Sequence, residues 1–162
     1  MAGTRTVAVL VGNPALSSIL SMTLAGAPSL KVRPFESELA LSVYLRIAPI
    51  DLLVLDLDSK SVPPARVLAD LRADSGLDAP DFDVIALASA AIPGLSARRT
   101  GAGIDEVIVK PMSPRYLLER VEARLAARSR KAQQVPVRAV ELPKLPSNVI
   151  PLWTRERPIP QH

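Results

Sequence analysis

Residues 51–56 read Asp-Leu-Leu-Val-Leu-Asp, four consecutive aliphatic side chains with a carboxylate at each end. There is no polar–apolar alternation. A strand here has apolar neighbours on both faces, as in a parallel sheet covered on two sides. Continuous apolar runs at 7–11, 84–88 and 107–109 carry the same signal, and 30–33 reads as a short second strand. Between them the spacing changes to that of helices. Asn13 is a helix-capping residue followed by Pro14 at the first turn. Leu16, Ile19, Leu20, Thr23 and Leu24 form an inner stripe, and Gly26 ends that helix. A second helix is predicted over 36–47, with Leu39, Val43 and Ile47 on one face. Pro63 and Pro64 open a third, which buries Val67, Leu68 and Leu71. A fourth is placed at 95–101, weakened by Pro93 and Gly94. Pro114 starts the last, with Leu117, Leu118, Val121 and Leu125 facing inward. Five strands alternating with five helices predict an α/β domain with a doubly wound, five-stranded parallel sheet. Such sheets place ligand sites at the carboxyl ends of their strands. Here those ends are Gly12-Asn13, Asp56 and Asp58, Ala88-Ser89, and Lys110.

The domain is expected to span residues 4–131. Periodicity vanishes in the last 27 residues, which hold six prolines, and residues 132–162 read as a basic, proline-rich tail without fixed structure. Charge divides along the chain. Residues 1–97 hold 7 Lys/Arg against 10 Asp/Glu, and residues 98–162 hold 13 against 6. A partner for positive charge belongs with the C-terminal part. The chain has no cysteine and a single histidine, His162, at its end. That excludes disulfides, thiolate metal sites and Ser-His hydrolases. No apolar run approaches the roughly 18 residues of a membrane span, and a cytoplasmic setting is expected.

The order and spacing of two segments carry a resemblance. DLLVLDL delivers Asp56, and Gly103-Ile104-Asp105-Glu106 leads into Val109-Lys110-Pro111. Together with the first strand's Asn-Pro turn, they make residues 4–130 resemble the receiver domain of bacterial response regulators, which has a flavodoxin-like fold. The resemblance implies that Asp56 holds the phosphoacceptor position of a two-component phosphorelay. It also implies that Lys110 pairs with phosphoryl oxygens and that Lys110-Pro111 is cis. Phosphoryl transfer to a carboxylate needs a divalent cation to offset the gathering charge.

Three departures accompany the resemblance. The acidic pair that holds magnesium in such domains is replaced by Gly12 and Asn13, and magnesium favours carboxylates. The Ser/Thr position falls on Ala88. Ser89 comes one residue late and, by strand alternation, is expected to face the other way. The switch aromatic falls on Val107. Asp58 reads as a solvated loop acid, with a residual role beside Asp56 in metal binding. Asn13 reads as a cap, and Asp56 with Lys110 either as an inert ion pair or as a live phosphoacceptor pair. No cofactor is expected, magnesium entering only if phosphotransfer is retained.

The last helix carries Arg120, Arg124 and Arg128 at four-residue spacing, a basic stripe that is either a solvated face or a docking surface. Arg98-Arg99 add charge nearby. In the tail, Trp153 sits among apolar residues beside Arg155, a grouping suited to a short docking motif. Nucleic-acid signatures are absent and stacking aromatics are nearly so. The leading expectation is a non-enzymatic, degenerate receiver that binds protein partners through its last helix and tail. A histidine kinase or a second copy is among the candidate partners. One alternative is a working phosphoacceptor at Asp56. Another is a cyclic-dinucleotide effector using Arg124, Arg128, Trp153 and Arg155.

Overall fold

The computed structural model describes residues 3–58, 64–74, 81–89 and 103–134. In chain order the elements are β1 (Arg5–Leu10), α1 (Pro14–Ala25), β2 (Leu30–Phe35), α2 (Glu38–Leu45), β3 (Leu52–Asp56), α3 (Pro64–Asp74), β4 (Asp83–Ser89), β5 (Glu106–Lys110) and α4 (Pro114–Gln134). The helix expected at 95–101 and the tail residues Trp153 and Arg155 lie outside the described residues. The strands form one parallel sheet in the order β2-β1-β3-β4-β5, with β3 at its centre. All five residues of β3 are buried, as an apolar run without alternation requires. β2 continues through Pro34 to Phe35. A proline lacks the ladder N–H, and β2 is an edge strand, where that loss is tolerated.

Successive residues of each strand feed opposite faces of the sheet. Val7, Val9, Leu52, Val54, Ile85 and Leu87 pack with Leu20 and Leu24 of α1 and with Leu117, Val121 and Leu125 of α4. Ala8, Leu53, Leu55, Val84, Ala86 and Ala88 pack with Leu41 and Leu45 of α2 and with Val67, Leu68 and Leu71 of α3. Burying each large side chain completely contributes on the order of 2 kcal/mol.

Two inner stripes differ from expectation. In α1, Leu20 and Leu24 are fully buried but Ile19 is 52% exposed. In α2 the Leu39, Val43 and Ile47 face is the outer one, at 74%, 49% and 79% exposure, while Leu41 and Leu45 are buried. The segment has two apolar stripes, and only Leu41 and Leu45 sit beside the ring pair Phe35 and Tyr44 under the sheet edge (centroids 5.3 Å apart, tilted 56°). Ser37 caps this helix by accepting from the Ala40 N–H, so the helix starts at Glu38. Gly26 caps α1 in a right-handed conformation (φ −65°), its N–H reaching the Met22 and Thr23 carbonyls while the Ala27 N–H reaches that of Leu24. α4 runs to Gln134, past the boundary expected at residue 131. Among the described residues no helix is long and apolar enough to cross a membrane.

Candidate functional site

The carboxyl ends of β3, β4 and β5 bring Asp56, Asp58, Ser89 and Lys110 together. Asp56 ends β3 on the sheet face that Leu52 and Val54 share, and is 9% exposed. Lys110 ends β5, in register with Ser89 at the end of β4. Its Nζ lies 2.9 Å from Asp56 Oδ1 and 2.6 Å from Asp58 Oδ2. The expected Asp56–Lys110 pair is therefore formed, and a second carboxylate joins it. The Lys110-Pro111 peptide is cis.

Asp58 is not a solvated loop acid. Its backbone N–H donates to Asp56 Oδ1 at 3.0 Å, turning the chain back over the end of β3. Its carboxylate accepts the Ser89 N–H at 3.0 and 3.2 Å and the Ser89 hydroxyl at 3.2 Å. Ser89 thus belongs to the site, against the expectation that it would face away. Alternation along β4 holds, with Ala88 in the α2/α3 core. Leu87, however, stands opposite Asp56 in register and lies in the α1/α4 core. Ser89 therefore shares the side of Asp56, and the turn after β3 carries Asp58 to it. Sequence spacing identifies strand ends but not the path of that turn.

The electrostatics follow from this packing. Burial pushes the Asp58 carboxyl up, but hydrogen bonds from Lys110 and Ser89 and the Lys110 charge outweigh it and hold the group below its usual 3.8. Burial likewise pushes Lys110 down, yet hydrogen bonds to Asp58 and Asp56 and their charges raise it above its usual 10.5. Asn13 caps α1: its Oδ1 accepts from the Ala15 and Leu16 N–H groups at 3.0 and 3.2 Å. Gly12 has no side chain to offer. Val107 packs partly buried against the α2/α3 core.

These residues do not fit a magnesium site. Magnesium needs oxygen ligands in near-octahedral order. Here the Asn13 oxygen accepts the cap bonds of α1, and the Lys110 ammonium lies against both Asp56 and Asp58. Among the described residues no group of three or more His, Asp or Glu could hold a metal ion.

The arginines of the α4 stripe are paired with acids near the amino ends of β4 and β5. Arg120 forms a two-point bond to Glu106, at 2.5 and 3.0 Å. Arg124 reaches Asp83 at 3.0 Å and Asp105 at 3.3 Å. Arg128 reaches Asp83 at 3.1 Å and Asp81 at 2.9 Å, and also donates to the Asp81 carbonyl. α4 runs antiparallel to the strands, so its second half passes the amino ends of β4 and β5, where these acids stand. Arg115 pairs with exposed Glu119, at 3.6 Å. Sequence reasoning also missed the joint at the start of β1. Arg5 bonds Asp51 at 2.9 Å and the Ser129 hydroxyl at 2.8 Å, and Asp51 accepts the Thr6 N–H at 2.8 Å. The signal was available: charged residues at the amino ends of strands, opposite a helix with cations every four residues.

No family profile matches the sequence, and no curated protein is detectably similar to it. Solved structures do match. A CheY-like response regulator receiver domain from Methanospirillum hungatei superposes with a TM-score of 0.68 at 17% identity, covering 80% of this chain and 99% of that one. A response regulator from Thermotoga maritima gives 0.64 at 24% identity, with 76% and 98% covered. A response regulator receiver protein from Burkholderia phymatum gives 0.62 at 16%, with 75% and 95% covered. The fold is that of response regulator receiver domains, a flavodoxin-like sheet in the order given above.

Proposed function

We propose that this chain is an atypical receiver: a cytoplasmic interaction module of bacterial signal transduction, non-enzymatic, that does not depend on magnesium-driven phosphorylation. One observation carries the reading. The described strand ends offer Asp56 and Asp58, and a single lysine, Lys110, is paired with both. Phosphoryl transfer to Asp56 needs a dication near the acceptor to offset charge on the transferring group. A cation at that place would have to displace Lys110 and strip Asn13 from the end of α1. What persists is the shape of the domain, and shape is read by protein partners. The exposed Val109 of β5 and Tyr116 of α4 offer apolar surface at the sheet edge for such contact. The α4 arginines hold the helix in place, so partner contact falls on the residues between them and on the tail.

The experiment is incubation with acetyl phosphate and magnesium, followed by intact-mass measurement. Wild type is expected to gain no phosphoryl adduct. Stoichiometric labelling that Asp56→Asn abolishes would overturn the reading. It would favour the second one, a phosphoacceptor in a two-component phosphorelay, whose support is the Asp56–Lys110 contact at 2.9 Å.

A further inference from the structure

We infer that Asp58 is a built-in anion. It fills an oxyanion seat formed by Lys110 Nζ and by the N–H and hydroxyl of Ser89, and so keeps that seat closed to phosphate. The inference deepens the reading of a receiver that does not take up phosphate, and rests on it. Its own support is geometric. Three donors from two strands converge on one carboxylate: Lys110 at 2.6 Å, the Ser89 N–H at 3.0 Å and the Ser89 hydroxyl at 3.2 Å. An ammonium and a backbone amide on one carboxylate oxygen, with a hydroxyl on the other, are donors of the kind that hold a phosphate or sulfate group. Asp56 does not fill the seat: among the described residues its Oδ1 takes Lys110 and the Asp58 N–H. The Asp58 N–H bond to Asp56 fixes the turn so that the carboxylate has one place to go.

The seat is reachable. Lys110 and Asp58 retain 23% and 28% of their side-chain exposure, so a small anion arrives from solvent once the carboxylate is gone. Charge acts in the same direction. Two carboxylates around one ammonium leave the site with one net negative charge, which repels anions; removal of Asp58 brings it to neutrality. Because Asp58 is tethered, it competes as an intramolecular ligand at high effective concentration.

The test uses inorganic phosphate as the probe and the Ser89 amide resonance of the full chain as the readout. Asp58→Ala and Asp58→Asn are both titrated, the second keeping the side chain's shape. Either variant, shown to be folded by its dispersed amide spectrum, is expected to shift the Ser89 amide saturably. Its affinity should exceed that of wild type by about tenfold or more, the worth of one hydrogen bond to a charged group. Adding Lys110→Met to Asp58→Ala is expected to abolish the shift. Equal affinity in wild type and variants would overturn the proposal, as would two folded variants that leave the Ser89 amide unmoved. The functional reading fails by a different measurement, acetyl-phosphate labelling of wild-type Asp56, so the two failures are distinguishable.

Discussion

At the scale of single residues, the strand-end network ties stability to pH in a direction that can be worked out. Asp58 is held below its usual 3.8, so its stabilisation is present above that value and is lost as pH falls through the folded-state value. Lys110 is raised above its usual 10.5, so its stabilisation is present below that value and is lost as pH rises through the folded-state value. Between these limits the network is intact. In urea unfolding at a series of pH values, wild type is expected to exceed Asp58→Asn by a constant margin from about pH 5 to 9. The margin should begin to fall near 3.8 and close once pH drops below the lower folded-state value, where the carboxyl is protonated in both folded and unfolded chains. A margin that widens on acidification would contradict the assignment. Asn13 gives a second residue-scale test. Its Oδ1 meets two N–H groups of the first turn of α1. Asn13→Ala is expected to cost about 1 kcal/mol, and Asn13→Asp close to nothing because it caps equally well. Denaturant midpoints check both values.

At the scale of elements, α4 is fastened twice: by Leu117, Val121 and Leu125 under the sheet, and by arginines along the amino ends of β4 and β5. The two kinds of arginine on this helix should behave differently. Arg124 is partly buried between Asp83 and Asp105, with 29% of its side chain exposed, whereas Arg115 keeps 87%. Arg124→Met is expected to cost about 1–2 kcal/mol, because it leaves half-buried acids with fewer partners. Arg115→Met is expected to change stability by a few tenths at most, as for any exposed pair. Thermal unfolding of the two variants side by side, at low and high salt, checks the contrast. The same elements show where sequence suffices. β3 was legible because a run that is apolar on both faces fits only a central buried strand. The Asp56–Lys110 meeting was legible because both residues end strands. The inner face of α2 was not, since its apolar residues form two stripes and only packing against Phe35 and Tyr44 chooses between them. Asp83, which Arg124 and Arg128 share, lies some forty residues earlier in the chain, beyond any local pattern. Asp58 and Ser89 escaped because alternation governs strands, and the contact is made by the turn after one.

At the scale of the whole molecule, the sheet separates two tasks by its two ends. Carboxyl ends gather Asp56, Asp58, Ser89 and Lys110. Amino ends gather structural ion pairs from Arg5–Asp51 to Arg128–Asp83. The uneven charge of the sequence is thereby partly cancelled inside the domain, since acids from the first hundred residues meet arginines from the last helix. Residues 135–162 carry four Lys/Arg against two Asp/Glu, together with six prolines and the sole Trp. Both core clusters, among the described residues, draw only on positions between Val7 and Leu125. α4 itself reaches Gln134, and its last buried bond to another element is the one from Arg5 to Ser129. Cutting the chain after Gln134 removes none of these contacts. The truncated protein is expected to unfold in urea with the midpoint and slope of the full chain, because the slope follows the surface exposed on unfolding. A lower midpoint or a shallower slope would mean that Trp153 and its neighbours pack onto the domain. Unchanged unfolding would leave the tail free to meet a partner, which the proposed interaction role requires.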